Sequence, residues 1–240
     1  MKGLILLYIK LFISILNLDY IFLKKIKIGR HGAMDNIDYA LLVFKKHLYY
    51  FNYKKNSAIL ELGPGDSSFT YDISRVLGFK EVHLIDKGFF FDSKKQHDNK
   101  NAISTYFKDY ISENKILENS NCSLNYSVNG LDSIKKIPSS SIDFLFSHTV
   151  LQHISLNQIE AYIKNLSRIT KKNSIQSHTI DLKDMINESL NQLKFSNSFW
   201  ESSLVKKSFF YTNRLRYSDY LFLFKKYNFE IVHEKVNKFN

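Results

Sequence analysis

Ala58-Ile59-Leu60-Glu61-Leu62-Gly63-Pro64-Gly65-Asp66-Ser67-Ser68 decides the fold. Its apolar start is too short for a helix before Gly63 and Pro64 intervene, so Ala58 to Leu62 reads as a buried strand. Ser67 to Leu77 follows as a helix with Phe69, Ile73 and Val76 on one side, and Glu81 to Asp86 reads as a second strand. A strand–turn–helix–strand unit of this kind builds a parallel sheet. In the turn, Gly63 and Gly65 let the backbone come close to a nucleotide while the following helix offers free amide groups. Asp86, 21 residues beyond Gly65, ends the second strand where an acidic side chain can accept hydrogen bonds from ribose hydroxyls.

Working outward, Ser123 to Val128 and Ile142 to Ser147 read as two more strands. Asn157 to Thr170 is an amphipathic helix with Ile159, Ile163, Leu166 and Ile169 on its inner face, and Ser174 to Ile180 is the fifth strand. The last sixty residues are less regular. They suggest a helix over 182–193, an aromatic-rich loop over 200–213, a helix over 218–227 and a strand over 229–234. The expected fold is α/β: a Rossmann-like, mostly parallel sheet with helices on both faces that lacks its last strand, since Lys235 to Asn240 is too short to supply it. The expected division is an N-terminal helical segment, 1–56, and a catalytic-type domain, 57–240.

With 240 residues, 44% of them hydrophobic, the chain can bury one sizeable core. Its net charge of +11 would ordinarily suggest a phosphate-bearing partner. Arginine, however, is confined to Arg30, Arg75, Arg168, Arg214 and Arg216, and the lysines are spread along the chain, so specific nucleic-acid binding is not expected. Cys122 is the only cysteine, which excludes an internal disulfide and a thiolate metal cluster, reads as a buried structural thiol, and fits a reducing cytoplasm. No metal site is expected, because the His and Asp residues form no dense local cluster. Residues 3–23 are apolar but interrupted by Lys10, Ser14 and Asn17 at helical spacing. That pattern predicts an amphipathic helix packed on protein or lying peripherally in a membrane interface, rather than a spanning helix of about 20 apolar residues.

A dinucleotide-binding turn would also carry two glycines and a distal acid. Its fingerprint, however, needs a third glycine where Ser68 stands and shows no preference for an acid two residues before the first glycine. Glu61 is such an acid, and its carboxylate can hold an amino-acid ammonium directly or through water. The combination favours S-adenosyl-L-methionine. The expected cofactor wall comprises Glu61, Gly63, Gly65, Asp66 and Ser67, then Asp86 and Lys87, Gly130 and Leu131, and Ser147 near the end of the fourth strand.

These residues resemble class I S-adenosylmethionine-dependent methyltransferases and, more narrowly, a bacterial family associated with surface-polysaccharide gene clusters. The likeness lies in blocks: His31-Gly32-Ala33-Met34-Asp35, the 61–67 loop, Leu84-Ile85-Asp86, Ser141 through Ile154, His178 through Asp184, and Tyr211-Thr212-Asn213-Arg214-Leu215-Arg216-Tyr217. The glycine loop and the 142–154 block carry the general likeness, and the last two blocks the narrower one. The sequence departs from the family in having Lys172-Asn173-Ser174 in place of a Pro-Gly-Gly turn, and Met185 in place of a histidine.

Methyl transfer from a sulfonium is an in-line displacement, so alignment dominates and a base matters when the acceptor is a hydroxyl. His148 and His153 follow the fourth strand at the ligand-binding end of the sheet, and either suits that base. Asp181 and His178 leave the fifth strand at the same edge and suit orienting an acceptor hydroxyl, so the catalytic candidates are His148, His153 and Asp181. For the acceptor, His178, Trp200, Tyr211, Asn213, Arg214 and Arg216 offer aromatic faces for sugar rings and guanidinium forks for phosphate or carboxylate. A covering layer over the sheet is the competing reading of that segment. Asp143 reads as a strand-opening residue, and Phe89-Phe90-Phe91 as core packing or an adenosine lid. The expectation is thus a cytoplasmic methyltransferase, with or without peripheral membrane contact through 3–23, acting on a hydroxyl of a sugar or sugar-lipid intermediate. Expected partners are a small-molecule or saccharide acceptor and, as an oligomer, a homodimer. The alternatives are a small-molecule or lipid methyltransferase, and a non-catalytic subunit docking on a membrane or glycosyltransferase partner.

Overall fold

The computed structural model describes residues 8, 12, 33–90, 99–185, 189–208 and 210–237. The helix expected over 3–23 lies outside these, apart from Tyr8 and Phe12, which are helical and exposed. His31, Gly32 and Phe91 also lie outside the described residues. The elements are α1 (Ile37–Leu48), β1 (Ala58–Leu62), α2 (Phe69–Val76), β2 (Glu81–Ile85), α3 (Lys100–Tyr106), α4 (Lys108–Glu113), β3 (Ser123–Ser127), α5 (Leu131–Lys136), β4 (Ile142–His148), α6 (Leu156–Ile169), β5 (Thr170–Thr179), α7 (Asn197–Trp200), α8 (Ser203–Lys206) and α9 (Tyr217–Lys226). One-turn 3-10 segments occur at Leu151–His153 and Asn191–Lys194.

The five strands form one parallel sheet in the order β3-β2-β1-β4-β5. Chain order reverses direction at β1, whose neighbours are β2 on one side and β4 on the other. In a doubly wound sheet that switch opens a crevice at the carboxyl ends of the strands. Parallel strands are covered on both faces, which is why β1 is buried along its whole length. Alternation sorts the side chains: Ile59, Phe144 and Phe146 join the core beneath α1, α2 and α3, whereas Leu60, Leu62 and Leu145 join that beneath α5, α6 and α9. A third, smaller cluster of Trp200, Val205, Phe210 and Tyr211 packs within the C-terminal cap.

Helix α1 is part of the first core. Asn36 caps it by accepting a hydrogen bond from Tyr39 N at 3.2 Å, and Lys45 and Lys46 complement the dipole at its other end. Phe44 packs edge-on against Phe107 and Phe146 at 6.0 and 5.7 Å. Asp143 opens β4 as expected, accepting from Ala58 N at 2.9 Å and pairing with Lys171 at 2.7 Å at the end of the sheet away from the crevice. Cys122 is a buried free thiol whose pKa is raised by burial to about 11.

Two expectations for the C-terminal part are corrected. Among the described residues of 182–193 no α-helix forms, because polar side chains capture the backbone there. Asp181 accepts from Lys183 N at 2.9 Å, and buried Asp184 accepts from Asn191 N at 2.8 Å and from Ser189 Oγ at 3.0 Å. Such local bonds compete with a helix, and only the 3-10 turn at Asn191–Lys194 forms. No strand forms over 229–234 either. Phe229 N donates to Phe224 O at 3.1 Å and its ring packs on Phe224, so the segment closes α9 instead of extending the sheet. The expected aromatic loop over 200–213 holds short α8, and α7 ends at its Trp200; Ser196 and Ser202 cap these two helices. Among the described residues no helix is long and apolar enough to cross a membrane.

If α1 is a core element, Phe44→Ala should cost about 3–5 kcal/mol. Urea denaturation followed by circular dichroism measures this, and a loss below about 1 kcal/mol would mean that α1 is only appended to the sheet.

Candidate functional site

The crevice is built by ties between strand ends. Gly63 and Gly65 adopt positive φ of 77° and 65°, turning the chain away from β1. A Cβ on Gly63 would lie 2.3 Å from Val150 Cγ2, so glycine is needed for close approach as well as for conformation. Gly63 N donates to Ile85 O at 2.7 Å. The Asp86 carboxylate accepts from Gly65 N at 3.1 Å and from Lys87 N at 2.7 Å, and the Asp86 carbonyl accepts from Gly130 N at 2.9 Å. The tips of β1 and β2 and the turn that follows β3 are thereby fixed around one acid.

A cavity of about 650 Å³ opens there. Of the residues expected to hold a cofactor, Glu61, Gly63, Gly65, Asp86, Lys87 and Gly130 line it. Asp66, Ser67, Leu131 and Ser147 are not on its wall, and Ser147 is instead bonded to His178 Nδ1 at 2.8 Å.

Glu61 is the electrostatic centre of this half. It is 1% exposed, and its Oε2 has no hydrogen-bond partner among the described residues. Burial raises its pKa to about 8 against the opposing hydrogen bond from Thr70, with the Asp86 charge adding to the rise. Burial also raises the pKa of Asp86, against the two backbone amides it accepts from. A carboxyl held in this state lacks a cation, and the cavity is where one can reach it.

The opposite half is built from β4, the turn after it and the C-terminal cap. His148, Gln152, His153, Asp181, Tyr211, Lys206 and Lys207 line it, together with Met34 and Tyr39 from the N-terminal part. His153 donates through Nδ1 to the Tyr211 carbonyl at 2.7 Å, since a carbonyl only accepts, which leaves Nε2 with its lone pair. Asn213 Nδ2 donates to Leu151 O and Ile154 O at 2.8 and 2.9 Å and so braces the turn that carries His153. Gln152 is 3% exposed and its Oε1 has no partner among the described residues. Burial depresses the pKa of His148 to about 4 and lowers that of His153, so both rings are neutral at neutral pH.

Trp200, Asn213, Arg214, Arg216 and His178, expected at the acceptor, are not on the cavity wall. Trp200 is fully buried and donates to Thr212 O at 2.7 Å. Arg214 stacks on its ring and donates to Phe195 O, Arg216 reaches Leu182 O, and His178 stacks on Phe224. These side chains hold the cap together. Met34, Tyr39, Gln152, Lys206 and Lys207 escaped the sequence reading, since no local signal marks which side chain of a helix or loop turns to the cavity. Met34 and Gln152 lay within quoted blocks but were not singled out there.

No protein-family model matches the chain, and no curated protein is similar to it in sequence. Solved structures resemble it at low identity. One is a chain of the complex between the Haloferax volcanii Trm112 methyltransferase activator and a methyltransferase, at 12% identity over 79% of this chain and 69% of that one, with a TM-score of 0.47. Another is a SAM-dependent methyltransferase from Archaeoglobus fulgidus, at 14% identity, 88% and 75% coverage and a TM-score of 0.48. A third is Haemonchus contortus phosphoethanolamine N-methyltransferase 2 with S-adenosylhomocysteine, at 16% identity and a TM-score of 0.46, where 80% of this chain spans only 37% of the other. The sheet here is Rossmann-like. That statement stands on strand order and register.

The Glu61 pKa, raised from about 4.5 to about 8, gives a stability contribution complete below pH 4.5 and lost as pH rises through 8. Glu61→Gln removes that loss. Its melting temperature relative to wild type should therefore climb between pH 5 and 9, with a gain above about 1 kcal/mol at the upper end. A pH-independent difference by differential scanning fluorimetry would contradict a buried neutral carboxyl.

Proposed function

We propose that the protein is an S-adenosylmethionine-dependent methyltransferase acting on a hydroxyl of a sugar or sugar-lipid. The reading is carried by Glu61: a buried carboxylate with a bare oxygen, facing the crevice of a parallel sheet, one turn away from the acid-anchored glycine loop. Glu61 would take the ammonium of the methionine moiety. Asp86 would take ribose hydroxyls with whatever lone pairs its two backbone amides leave, and the turn at Gly63 to Gly65 gives the backbone room to approach. When bound, the sulfonium supplies an electrophilic methyl group, and the thioether is the leaving group.

The rest falls to the chain's own side chains. Tyr39 and Tyr211 offer aromatic faces, Gln152 offers a bare oxygen that can accept from a hydroxyl, and Lys207, beside the Lys206–Glu201 pair at 3.4 Å, offers a cation for a phosphate on the acceptor. That combination of ring faces, hydrogen-bond acceptors and a cation supports a saccharide bearing a phosphate. His153 Nε2, its Nδ1 already committed to Tyr211 O, would take the proton that a hydroxyl sheds on methylation.

Two outcomes follow for His153→Gln. S-adenosylhomocysteine should still raise the melting temperature as it does in wild type, since the substitution leaves the Glu61 half intact. Transfer of labelled methyl from S-adenosylmethionine to a panel of nucleotide sugars and sugar phosphates should fall by about a hundredfold or more. Absence of any shift with S-adenosylhomocysteine in the folded wild type, with a shift from nicotinamide dinucleotide instead, would overturn the reading.

A further inference from the structure

His47 is the buried titratable group that the account above leaves unused. It lies on α1, is 1% exposed, and stacks on Phe146 at 5.0 Å. Its Nδ1 lies 2.8 Å from Ser177 Oγ on β5, and its Nε2 lies 3.1 Å from His148 Nδ1 on β4. The chain Ser177–His47–His148 thus runs from the sheet edge to the cavity wall, where Tyr39 packs edge-on against His148 at 6.3 Å.

A neutral imidazole carries one proton on two nitrogens, so such a chain has two self-consistent polarities. In one, His148 Nδ1–H donates to His47, His47 donates to Ser177, and the serine proton has no acceptor among the described residues. In the other, Ser177 Oγ–H donates to His47 Nδ1, His47 Nε2–H donates to His148 Nδ1, and the remaining N–H is His148 Nε2–H. The second arrangement satisfies each internal donor and leaves only the His148 Nε2–H, on a ring that lines the cavity. An adjacent pair shows this serine-to-histidine sense without ambiguity. His178 Nε2 lies 3.0 Å from Gln176 Oε1, an acceptor, because Gln176 Nε2 is already donating to Leu166 O at 3.0 Å. His178 Nε2 therefore carries the proton, and Ser147 Oγ, 2.8 Å away, donates to Nδ1.

We propose that Ser177 and His47 are positioning residues that fix His148 as a hydrogen-bond donor at the acceptor end of the cavity, opposite in sense to His153, which is an acceptor there. One wall then offers an imidazole N–H and the other an imidazole lone pair. A hydroxyl, or two neighbouring hydroxyls of a saccharide, can answer both, whereas a protonated amine has no lone pair for His148. This assignment of the acceptor as a neutral hydroxyl compound rests on the methyltransferase reading. The orientation of His148 does not, because it is a property of the protein alone. His47 supports the scheme by its burial: desolvation, with the neighbouring His148, His178 and Lys46, drives its pKa down to about 2, so it stays neutral and transmits a fixed polarity.

Long-range proton–nitrogen correlation spectra of the uniformly 15N-labelled, full-length protein at pH 7.5 test this, with His148→Gln assigning the His148 signals. In wild type, without cofactor, His148 should carry its proton on Nε2 in at least about tenfold excess over the other tautomer. Ser177→Ala should erase that preference while leaving His153 protonated on Nδ1, and Ser177→Thr, which restores the hydroxyl, should recover it. His47→Phe, which keeps the stack on Phe146, should erase it as well. A wild-type His148 protonated on Nδ1, or a tautomer unchanged in folded Ser177→Ala, would overturn the proposal. Failure of S-adenosylhomocysteine to bind would leave the tautomer result standing and strike only the functional reading.

Discussion

A carboxyl group with no cation beside it among the described residues, buried at the switch point of a parallel sheet, is the constraint around which the molecule is arranged. Glu61 sits on the central strand, where both faces of the sheet are covered and its side chain is 1% exposed. Placing an acid there works against stability, and its pKa near 8 records that the protein alone favours the neutral form. The surrounding ties give the position its geometry. Asp86 clamps the glycine turn through backbone amides, Gly63 yields space to Val150, and Gly130 closes the tip of β2. Each of these ties involves backbone at the strand tips, so the crevice takes its shape from the fold itself.

The other half of the cavity is held differently, by side chains from segments far apart in sequence. Asn213 and the Tyr211 carbonyl brace the turn after β4, and the Trp200 cluster keeps that segment folded over the site. From the opposite face, α1 brings Tyr39 to the wall and His47 behind it. The burial of Phe44 against Phe107 and Phe146 is therefore connected to the orientation of His148, since α1 carries both Phe44 and His47, the partner of His148. Neutral imidazoles are the consequence of this dry packing: His47, His148 and His178 all have pKa values pushed below their usual range by burial.

The strands and the glycine loop were legible in the sequence because they depend on local signals: apolar runs of strand length, glycine and proline between them, and an acid at a fixed distance. β1, β2, β4 and α6 fall within a residue or two of the positions that periodicity indicates. Glu61 and Asp86 were readable for the same reason. Arg214, Arg216 and Trp200 were not, because residue type suits both binding a ligand and bracing a cap, and only the fold shows them turned to carbonyl oxygens or buried. The pairing of His47 with His148 joins residues about a hundred positions apart, and nothing in either neighbourhood announces it. At 229–234 the alternation of apolar residues suggested a strand, but Phe229 found its partner in Phe224 of the preceding helix.

Calorimetric titration of the protein with S-adenosylhomocysteine at pH 6.5, repeated in buffers of different ionisation enthalpy, tests the central claim most directly. With the Glu61 carboxyl mostly protonated before binding, since its pKa is about 8, and ionised once it faces an ammonium, about one proton should be released per ligand bound. That release should vanish in Glu61→Gln, with weaker binding. Tight binding with no proton exchange, or with the same exchange in the variant, would contradict the role given to Glu61.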